Sequence, residues 1–363
     1  MLLRYPAETG SDDLMKKYSS FIIIILCFIS FSCHTREKPQ SVISSTYTPP
    51  IKKVTCTRKV SFLPYWVTTA QFAGYYVGKE LGIYRKYGID LDIIPFQPFY
   101  TSTDLIRQGK ADFAVLWLVN ALELKDQGTD IVDIAQFSSR SSLMLLTKKS
   151  SGINTLQDMN GKKAGIWSGY EFQPKTLFRK YNLNVKIIPI GSSVNIFLMG
   201  GVDIINANWF DEYHLIINSG YNPEELNTFF FADYGLNFPE DGIYCLSTKL
   251  KSDPRLCQDF VNATLESWNY AFSHPKEAIK IVINYAMRQK AAANISNVKW
   301  TLDRYRDLYI PKGKPDINTD LSPDAYQKVA KILLDSKLIS RIPKYSDFYK
   351  SYKTLISSPD AKE

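Results

Sequence analysis

Two α/β lobes are the fold that the sequence predicts, because short β-type runs and helical stretches alternate twice along the chain. The first series lies within residues 60–116, and the second lies within residues 163–205. The length also suits two separate cores. The chain has 363 residues, whereas a single hydrophobic core stops growing at roughly 250–300 residues.

The first series alternates strands and helices in the order expected of βαβ units. Gly82 and Gly88 lie after its first helix and before its second strand, where helix-ending and turn glycines are typical. This order predicts a mostly parallel sheet covered by helices. The predicted strands are residues 60–63, 91–95 and 113–116, and the predicted helices are residues 71–81 and 103–108.

The second series has the same order and contains a short echo of the first. Residues 109–114 read Gly-Lys-Ala-Asp-Phe-Ala, and residues 200–205 read Gly-Gly-Val-Asp-Ile-Ile. The echo indicates either a βαβ architecture common to both lobes or only a common turn that precedes a strand. The predicted strands are residues 163–167, 185–189 and 202–205, and the predicted helices are residues 171–180 and 194–199.

Two extended segments, residues 143–148 and 243–247, flank the second series, and helical tracts follow from residue 254. If the C-terminal part rejoins the first lobe, the chain crosses between the lobes twice, and paired crossings form a hinge. We therefore predict lobe 1 from residues 58–148 and 245–363, and lobe 2 from residues 149–244. Residues 345–363 are expected to form a loosely attached tail.

The N-terminus has the features of an export signal. Lys16 and Lys17 precede an apolar run at residues 21–31, which is too short to span a bilayer comfortably and leads to Ser32 and Cys33. We predict a signal peptide at residues 1–33, with Cys33 as the lipidation site, and a polar tether at residues 34–57. Plain cleavage and secretion is the alternative, and Met15 is an alternative start.

Charge and motifs argue against several functions. The net charge of +8 comes from lysines scattered along the chain without a basic stripe, which disfavours nucleic-acid binding. Cysteines and histidines form no metal-ligand spacing, so we expect no metal site. Cys245 and Cys257 either pair in an oxidising compartment or remain buried thiols. No P-loop, nucleophile elbow, GxGxxG or HExxH motif occurs, so we expect a binding protein without a cofactor and not an enzyme.

Aromatic and polar residues cluster where predicted strands end and helices begin. Open α/β sheets bind their ligands at such positions, so a cleft between the lobes is expected to contain these residues. Four of the aromatic residues have rings suited to sandwiching a flat heterocycle, namely Trp66, Trp117, Tyr170 and Trp209. The segments concerned are residues 64–66, 117–120, 138–142, 167–172 and 208–213.

Residues 70–77, Ala-Gln-Phe-Ala-Gly-Tyr-Tyr-Val, are followed by Lys-Glu-Leu-Gly at 79–82. This stretch resembles the opening of the periplasmic-binding family for thiamine-pyrimidine precursors. The resemblance covers residues 60–285 and includes the segments 109–113, 158–163, 200–203, 232–235 and 240–242.

The resemblance implies a type II periplasmic-binding-protein fold, α/β with two lobes and a hinge between them. It also implies a monomeric substrate-binding lipoprotein of the cell envelope that delivers a small heterocycle to an ABC permease and its ATPase for vitamin uptake. Relatives bind pyrimidine precursors of thiamine, riboflavin or alkanesulfonates. The sequence at 71–76 is nearest the pyrimidine and flavin branches.

The same superfamily includes a thiamine pyrimidine synthase that consumes its own active-site histidine and carries a cysteine-rich iron motif. The matching position here is Phe72, and the chain has no run of clustered cysteines. The resemblance therefore keeps a synthase-like enzyme as the disfavoured alternative.

Several predicted site residues have specific roles. The N–H groups at residues 169–172 are expected to hold a carbonyl or an anion, because they begin a helix. Asp211 and Glu212 match the acidic or amide pair of the relatives and are expected to accept hydrogen bonds from an aminopyrimidine. Arg140 either pairs with them or with a ligand acid, or lies on the surface. The predicted ligand-binding residues are Trp66, Gln71, Tyr75, Trp117, Asn120, Ser141, Gly169, Tyr170, Glu171, Trp209, Asp211, Glu212 and Asp241.

Overall fold

A computed structural model of the chain describes residues 57–96 and 101–356. The predicted signal peptide, Cys33 and residues 34–56 of the predicted tether lie outside these ranges. Among the described helices, none combines the length and the apolar character needed to cross a bilayer. The strands are β1 Arg58–Leu63, β2 Ile89–Ile93, β3 Phe113–Leu116, β4 Ile131–Gln136, β5 Leu143–Lys148, β6 Lys163–Trp167, β7 Lys186–Ile190, β8 Ile204–Asn208, β9 Leu226–Phe230 and β10 Gly242–Leu246.

The helices cover the sheets and form most of the C-terminal part of the described chain. They are α1 Ala73–Glu80, α2 Ile83–Lys86, α3 Ser102–Arg107, α4 Leu118–Asp126, α5 Phe172–Lys180, α6 Asn195–Leu198, α7 Glu212–Asn218, α8 Ser247–Ser252, α9 Pro254–Ser273, α10 Pro275–Arg288, α11 Ile295–Tyr309, α12 Pro323–Asp335 and α13 Tyr345–Phe348.

The ten strands form two five-stranded sheets with the same internal order. The first sheet runs β2-β1-β3-β10-β4, and the second runs β7-β6-β8-β5-β9. In each sheet the first three strands are parallel, and the fourth is antiparallel to both of its neighbours. The predicted α/β fold class with two lobes is therefore confirmed.

The sequence echo between residues 109–114 and 200–205 marks a structural repeat. Gly109 and Gly200 have φ angles of 67° and 75°, which a side chain rarely tolerates. Asp112, which directly precedes β3, then accepts a 2.8 Å hydrogen bond from the N–H of Ser61 in the neighbouring strand β1. In the second sheet, Asp203 accepts a 2.8 Å hydrogen bond from the backbone N–H of Lys163. The shared architecture, and not a chance turn, accounts for the echo.

Two predicted boundaries differ from the strand pairing. Strand β5 pairs with β8 and β9, so residues 143–148 belong to the second lobe and not to the first. Strand β10 begins at Gly242 and pairs with β3 and β4, so the return to the first lobe precedes residue 245. The reason is common to both: each strand directly follows a crossing and fills the antiparallel position of the sheet that it enters.

The expectation of a loose tail after residue 345 is wrong for its described part. Phe348 is fully buried, and the N–H of Lys350 donates to the carbonyl of Asp133 in β4 at 2.9 Å. The C-terminal segment thus packs along the edge of the first sheet.

A buried carboxylate joins the two crossings between the lobes. Glu240, in the second crossing, accepts hydrogen bonds from the Ser141 hydroxyl at 2.8 Å and the Ser142 N–H at 2.9 Å, both in the first crossing. Its other oxygen accepts from the Ser142 hydroxyl at 2.8 Å. Asn237 adds a link by accepting from the Ser141 N–H at 2.8 Å. These bonds hold the two crossings side by side at the predicted hinge.

The side chain of Glu240 is only 2% exposed, and this burial raises its pKa. Burial, and after it the negative charge of Asp241, raises the pKa of Glu240 to about 8, although the bonds from Ser141 and Ser142 act to lower it. The carboxyl group is therefore expected to be largely protonated in the folded protein below that pH.

We expect Glu240→Gln to flatten the pH dependence of stability. The folded pKa is about 8 against an ordinary 4.5, so the stabilisation is complete below the ordinary value and is lost as the pH rises to the folded one. Between pH 5 and 8 the wild type should lose about 2–4 kcal/mol more unfolding free energy than the variant. Urea unfolding at both pH values measures this, with exposed Glu224→Gln as control. Equal losses in all three proteins would contradict it.

Candidate functional site

A cavity lies between the two lobes, at the C-terminal ends of several strands. The space between its wall atoms is about 840 Å³, including the part open to solvent. The wall comprises Tyr65, Trp66, Thr68, Thr69, Ala70, Gln71, Trp117, Leu143, Trp167, Tyr170, Asn206, Ala207, Asn208, Phe210, Asp211, Glu212, Ala292, Ala293, Asn294, Asn297, Val298 and Thr301.

Aromatic rings from both lobes close one side of the cavity. Trp66 of lobe 1 contacts Trp167 of lobe 2 edge to face, with centroids 5.8 Å apart. Tyr170 of lobe 2 contacts Trp117 of lobe 1 in the same way at 5.4 Å, and Tyr65 stacks on Trp117 at 5.6 Å. The rings meet at steep angles across the cleft, so in this arrangement they contact one another and close this side of the cavity.

Glu212 is the buried carboxylate of the cavity wall. It begins α7 directly after β8, is 3% exposed, and its Oε2 accepts a 2.7 Å hydrogen bond from the Asn208 N–H. Burial, and after it the Asp211 carboxylate, raises the pKa of Glu212 to about 7. A ligand that donates an N–H to this group would supply a partner for a charge that is otherwise costly to bury.

Asp211 has a different role from Glu212 although the two are adjacent. Its Oδ1 accepts a 2.8 Å hydrogen bond from the Asn297 amide on α11, which belongs to lobe 1. The same Asn297 contacts the His214 ring through its Oδ1 at 2.9 Å. Burial raises the pKa of Asp211, while Asn297 and the nearby His214 act to lower it. Asp211 therefore links the cavity wall to the opposite lobe.

Further contacts of α11 with the segment 209–214 form a latch between the lobes. Trp300 stacks on His214 at 4.8 Å and donates to the Trp209 carbonyl at 2.9 Å. The Thr301 hydroxyl donates to the Phe210 carbonyl at 2.8 Å. The guanidinium of Arg304 lies 4.7 Å from the centre of the Trp209 ring. The latch and the hinge both join the lobes, through different parts of the chain.

Gln71 is held from behind the wall by Asp241. Its amide donates to Asp241 Oδ1 at 3.3 Å, and Asp241 has a φ of 58°. Burial raises the pKa of Asp241 to about 6, and the polar groups of Tyr305, Gln71, Trp117 and Tyr309 act to lower it. Asp241 thus supports the wall and does not line the cavity.

Six of the predicted site residues line the cavity: Trp66, Gln71, Trp117, Tyr170, Asp211 and Glu212. The other predicted site residues lie outside the cavity wall. Tyr75 stacks on Phe62 at 4.1 Å in the lobe 1 core, Asn120 accepts from the Tyr65 hydroxyl at 3.1 Å, and Ser141 belongs to the hinge.

Two further expectations need correction, and two alternatives that the sequence left open are decided. Trp209 lies under Arg304 in the latch and not in the cavity wall. The Gly169 N–H donates to the Glu171 carboxylate at 3.1 Å. These two groups therefore bind each other, and neither residue lines the cavity. Arg140 pairs with Asp233 at 2.7 Å on the surface, and not with the acidic pair. Of the two alternatives for Cys245 and Cys257, the described part of the chain shows buried thiols that do not pair with each other.

Sequence reasoning missed two parts of the wall. Asn206 lies within a strand and not after it, and the only signal was a polar residue in an otherwise apolar run that alternates with Asn208. Residues 292–301 come from the far C-terminal side of the chain. Nothing in their local sequence indicates a cleft, because the tertiary return of α11 brings them there.

The cavity wall is acidic. Among the described residues that line it, two are carboxylates, and none is lysine, arginine or histidine. The described chain also holds no cluster of three His, Cys, Asp or Glu side chains suited to a metal ion. A pyridoxal phosphate group does not fit this wall, because it offers neither an amine for an aldimine nor a cation for the phosphate.

Comparison with known proteins yields relatives named as synthases. The 4-amino-5-hydroxymethyl-2-methylpyrimidine phosphate synthase of Schizosaccharomyces pombe is 29% identical over 130 residues, which are 35% of this chain and 37% of that protein. The chain thus matches little more than a third of that relative's length. The Saccharomyces cerevisiae enzyme of the same name, THI5, is 22% identical over 289 residues, 75% of this chain and 76% of that protein.

Solved structures share the fold, and a family model matches the middle of the chain. The periplasmic aliphatic sulphonate binding protein SsuA from Escherichia coli superposes with a TM-score of 0.61 at 14% identity, covering 80% of this chain and 91% of that one. This likeness confirms the periplasmic-binding-protein fold. The model described as NMT1/THI5 like matches residues 69–278. Since that match exceeds half of the chain, the protein belongs to the NMT1/THI5-like family.

Proposed function

We propose that the protein is the substrate-binding component of an ABC importer in the cell envelope and captures a flat, nitrogen-rich heterocycle between its lobes. The observation that carries this proposal is a cavity closed by rings from both lobes, with the buried Glu212 carboxylate in its wall. Closure over the ligand is the signal for a permease and its ATPase. The fold of SsuA supports the architecture, and the names of the relatives support a thiamine pyrimidine precursor as ligand.

The polarity of the wall supports a preference for aminopyrimidines over flavins, and for flavins over sulfonates, as ligands. An aminopyrimidine presents an exocyclic amine and ring nitrogens, which suit the carboxylate of Glu212 and the amide of Gln71. A sulfonate needs cationic or N–H partners. The described wall has no cationic side chain, and its carboxylates would repel the anion.

A synthase-like enzyme is the second candidate function, and the names of the relatives favour it. The position of their consumed histidine is occupied by Phe72, which is 1% exposed and packs in the lobe 1 core. His214 lies in the latch, stacked on Trp300. Incubation with pyridoxal phosphate and iron, followed by mass analysis for a pyrimidine product, separates the two functions, since turnover would contradict a pure binding role.

We expect Glu212→Gln to weaken binding of 4-amino-5-hydroxymethyl-2-methylpyrimidine by roughly 10- to 100-fold, because it removes a charged acceptor from a desolvated wall. Titration calorimetry measures the affinity, and thermal melting measures stability. The folded protein should remain stable, since glutamine retains an oxygen for the Asn208 N–H.

The matched control is Glu224→Gln, an exposed change on the same lobe, which should leave both affinity and melting unchanged. If Glu212→Gln binds as tightly as the wild type, the carboxylate does not recognise the ligand. Binding of alkanesulfonates alone would instead reverse the proposed order of ligands.

Lipid anchoring through Cys33 is the finer part of the proposal. The basic pair, the apolar run and the cysteine support it. We expect the wild-type protein from a bacterial host to enter the detergent phase with an added acyl mass, and Cys33→Ala to lose both. Unchanged mass and detergent partitioning in the variant would contradict the anchor.

A further inference from the structure

Asn206 places an amide in a buried, apolar part of the second sheet. It lies in β8, and its partner in the neighbouring strand β5 is Leu145. Leu145 and Ile204 are fully buried, and Asn206 is 2% exposed. Asn206 nevertheless lines the cavity between the lobes, so a residue that is buried within the protein also borders the cavity.

The Oδ1 atom of Asn206 is buried and has no hydrogen-bond partner among the residues that the structure describes. Buried side-chain acceptors nearly always have a partner, since leaving one unpaired costs stability. A leucine at this position would pack against Leu145 without that cost. The protein's own packing thus gives no reason for the amide, whereas a donor on a molecule in the cavity does.

A second, independent feature is the charge of the wall. Asp211 and Glu212 contribute carboxylates, and the described lining residues contain no lysine, arginine or histidine. An anionic substituent enclosed here would have no counter-charge and would lie near negative groups. The wall therefore suits neutral or cationic molecules that donate hydrogen bonds.

Resting on the proposed function, we propose that Asn206 determines specificity by accepting a hydrogen bond from an N–H or O–H of the ligand. We further propose that the acidic wall excludes the phosphate monoester of the same heterocycle. The chain then binds the unphosphorylated compound. Wherever the phosphate ester is needed, a kinase-type reaction must follow uptake, in which a nucleoside triphosphate gives its terminal phosphoryl group to the hydroxyl oxygen and leaves as the diphosphate while the hydroxyl proton is released.

The first arm of the test compares two probes on the wild-type protein by calorimetry. These are 4-amino-5-hydroxymethyl-2-methylpyrimidine and its phosphate monoester. We expect the ester to bind at least about 100-fold more weakly, because its charge meets the carboxylates without a cation. Equal or tighter binding of the ester would overturn the charge selection and leave the proposed binding function intact.

The second arm uses Asn206→Leu, with exposed Asn195→Leu on the same lobe as matched control. We expect Asn206→Leu to lower affinity for the pyrimidine at least about 10-fold and to melt at the same or a higher temperature without ligand. A structural role would instead lower the melting temperature. Unchanged affinity, or a destabilised free protein, would overturn the role of Asn206.

Failure of the proposed function can be distinguished from failure of the role proposed for Asn206. If no pyrimidine binds the wild type, the ligand class of the proposed function fails. The melting comparison still decides Asn206, because a destabilised Asn206→Leu protein makes it a structural residue, and a stabilised one supports a ligand contact.

Discussion

The cavity depends on the two crossings staying side by side, and the Glu240 carboxylate is the group that joins them. It accepts from both Ser141 and Ser142 of the first crossing while it belongs to the second. Asp241 follows it directly and holds Gln71 in the cavity wall. One buried dipeptide thus connects the hinge to the ligand space, and a change in its protonation affects both.

The latch completes the closure at a different part of the chain. Residues 208–214 contribute Asn208 and Glu212 to the cavity, and the same segment is bound by Asn297, Trp300 and Thr301 of α11. Asp211 belongs to both sets. The groups of this segment that line the cavity and the groups that contact the other lobe are therefore neighbours, so a shift of one set would displace the other.

The sequence predicted the fold because its signals are local. Alternation of strands and helices, the turn glycines and the echo at 109–114 and 200–205 all survive in the two sheets. The boundary at 148 was wrong because β5 has no local feature that tells which sheet it enters. The glycines of the motif at 70–77 also have a packing role. A side chain at Gly74 would lie 2.5 Å from Trp268 of α9. The motif is therefore needed for the close packing of α1 against α9 as well as for the site.

The site was only partly predictable, because local sequence signals do not report the tertiary contacts that decide which residues line the cavity. Trp66, Trp117 and Tyr170 follow strand ends, so the general position of ligands in α/β sheets identified them. Trp209 follows a strand end too, but α11 covers it, and that helix lies more than eighty residues away in sequence. Asn206 was missed because a polar residue within a strand usually faces solvent, and only the tertiary structure shows that it borders the cavity.

Two pairs of adjacent carboxyl groups lie at the crossings and in the cavity wall, namely Glu240 with Asp241 and Asp211 with Glu212. Glu240, Asp241 and Glu212 are each at most 3% exposed, and burial raises the pKa of each, to about 8, 6 and 7 respectively. Asp211 shifts in the same direction. Either protons or hydrogen-bond donors must compensate these groups in the folded protein. Under the proposed function, a ligand that donates N–H groups to Glu212 would supply that compensation, whereas an anion would add to the repulsion, so the charge of the wall favours the first class of ligand.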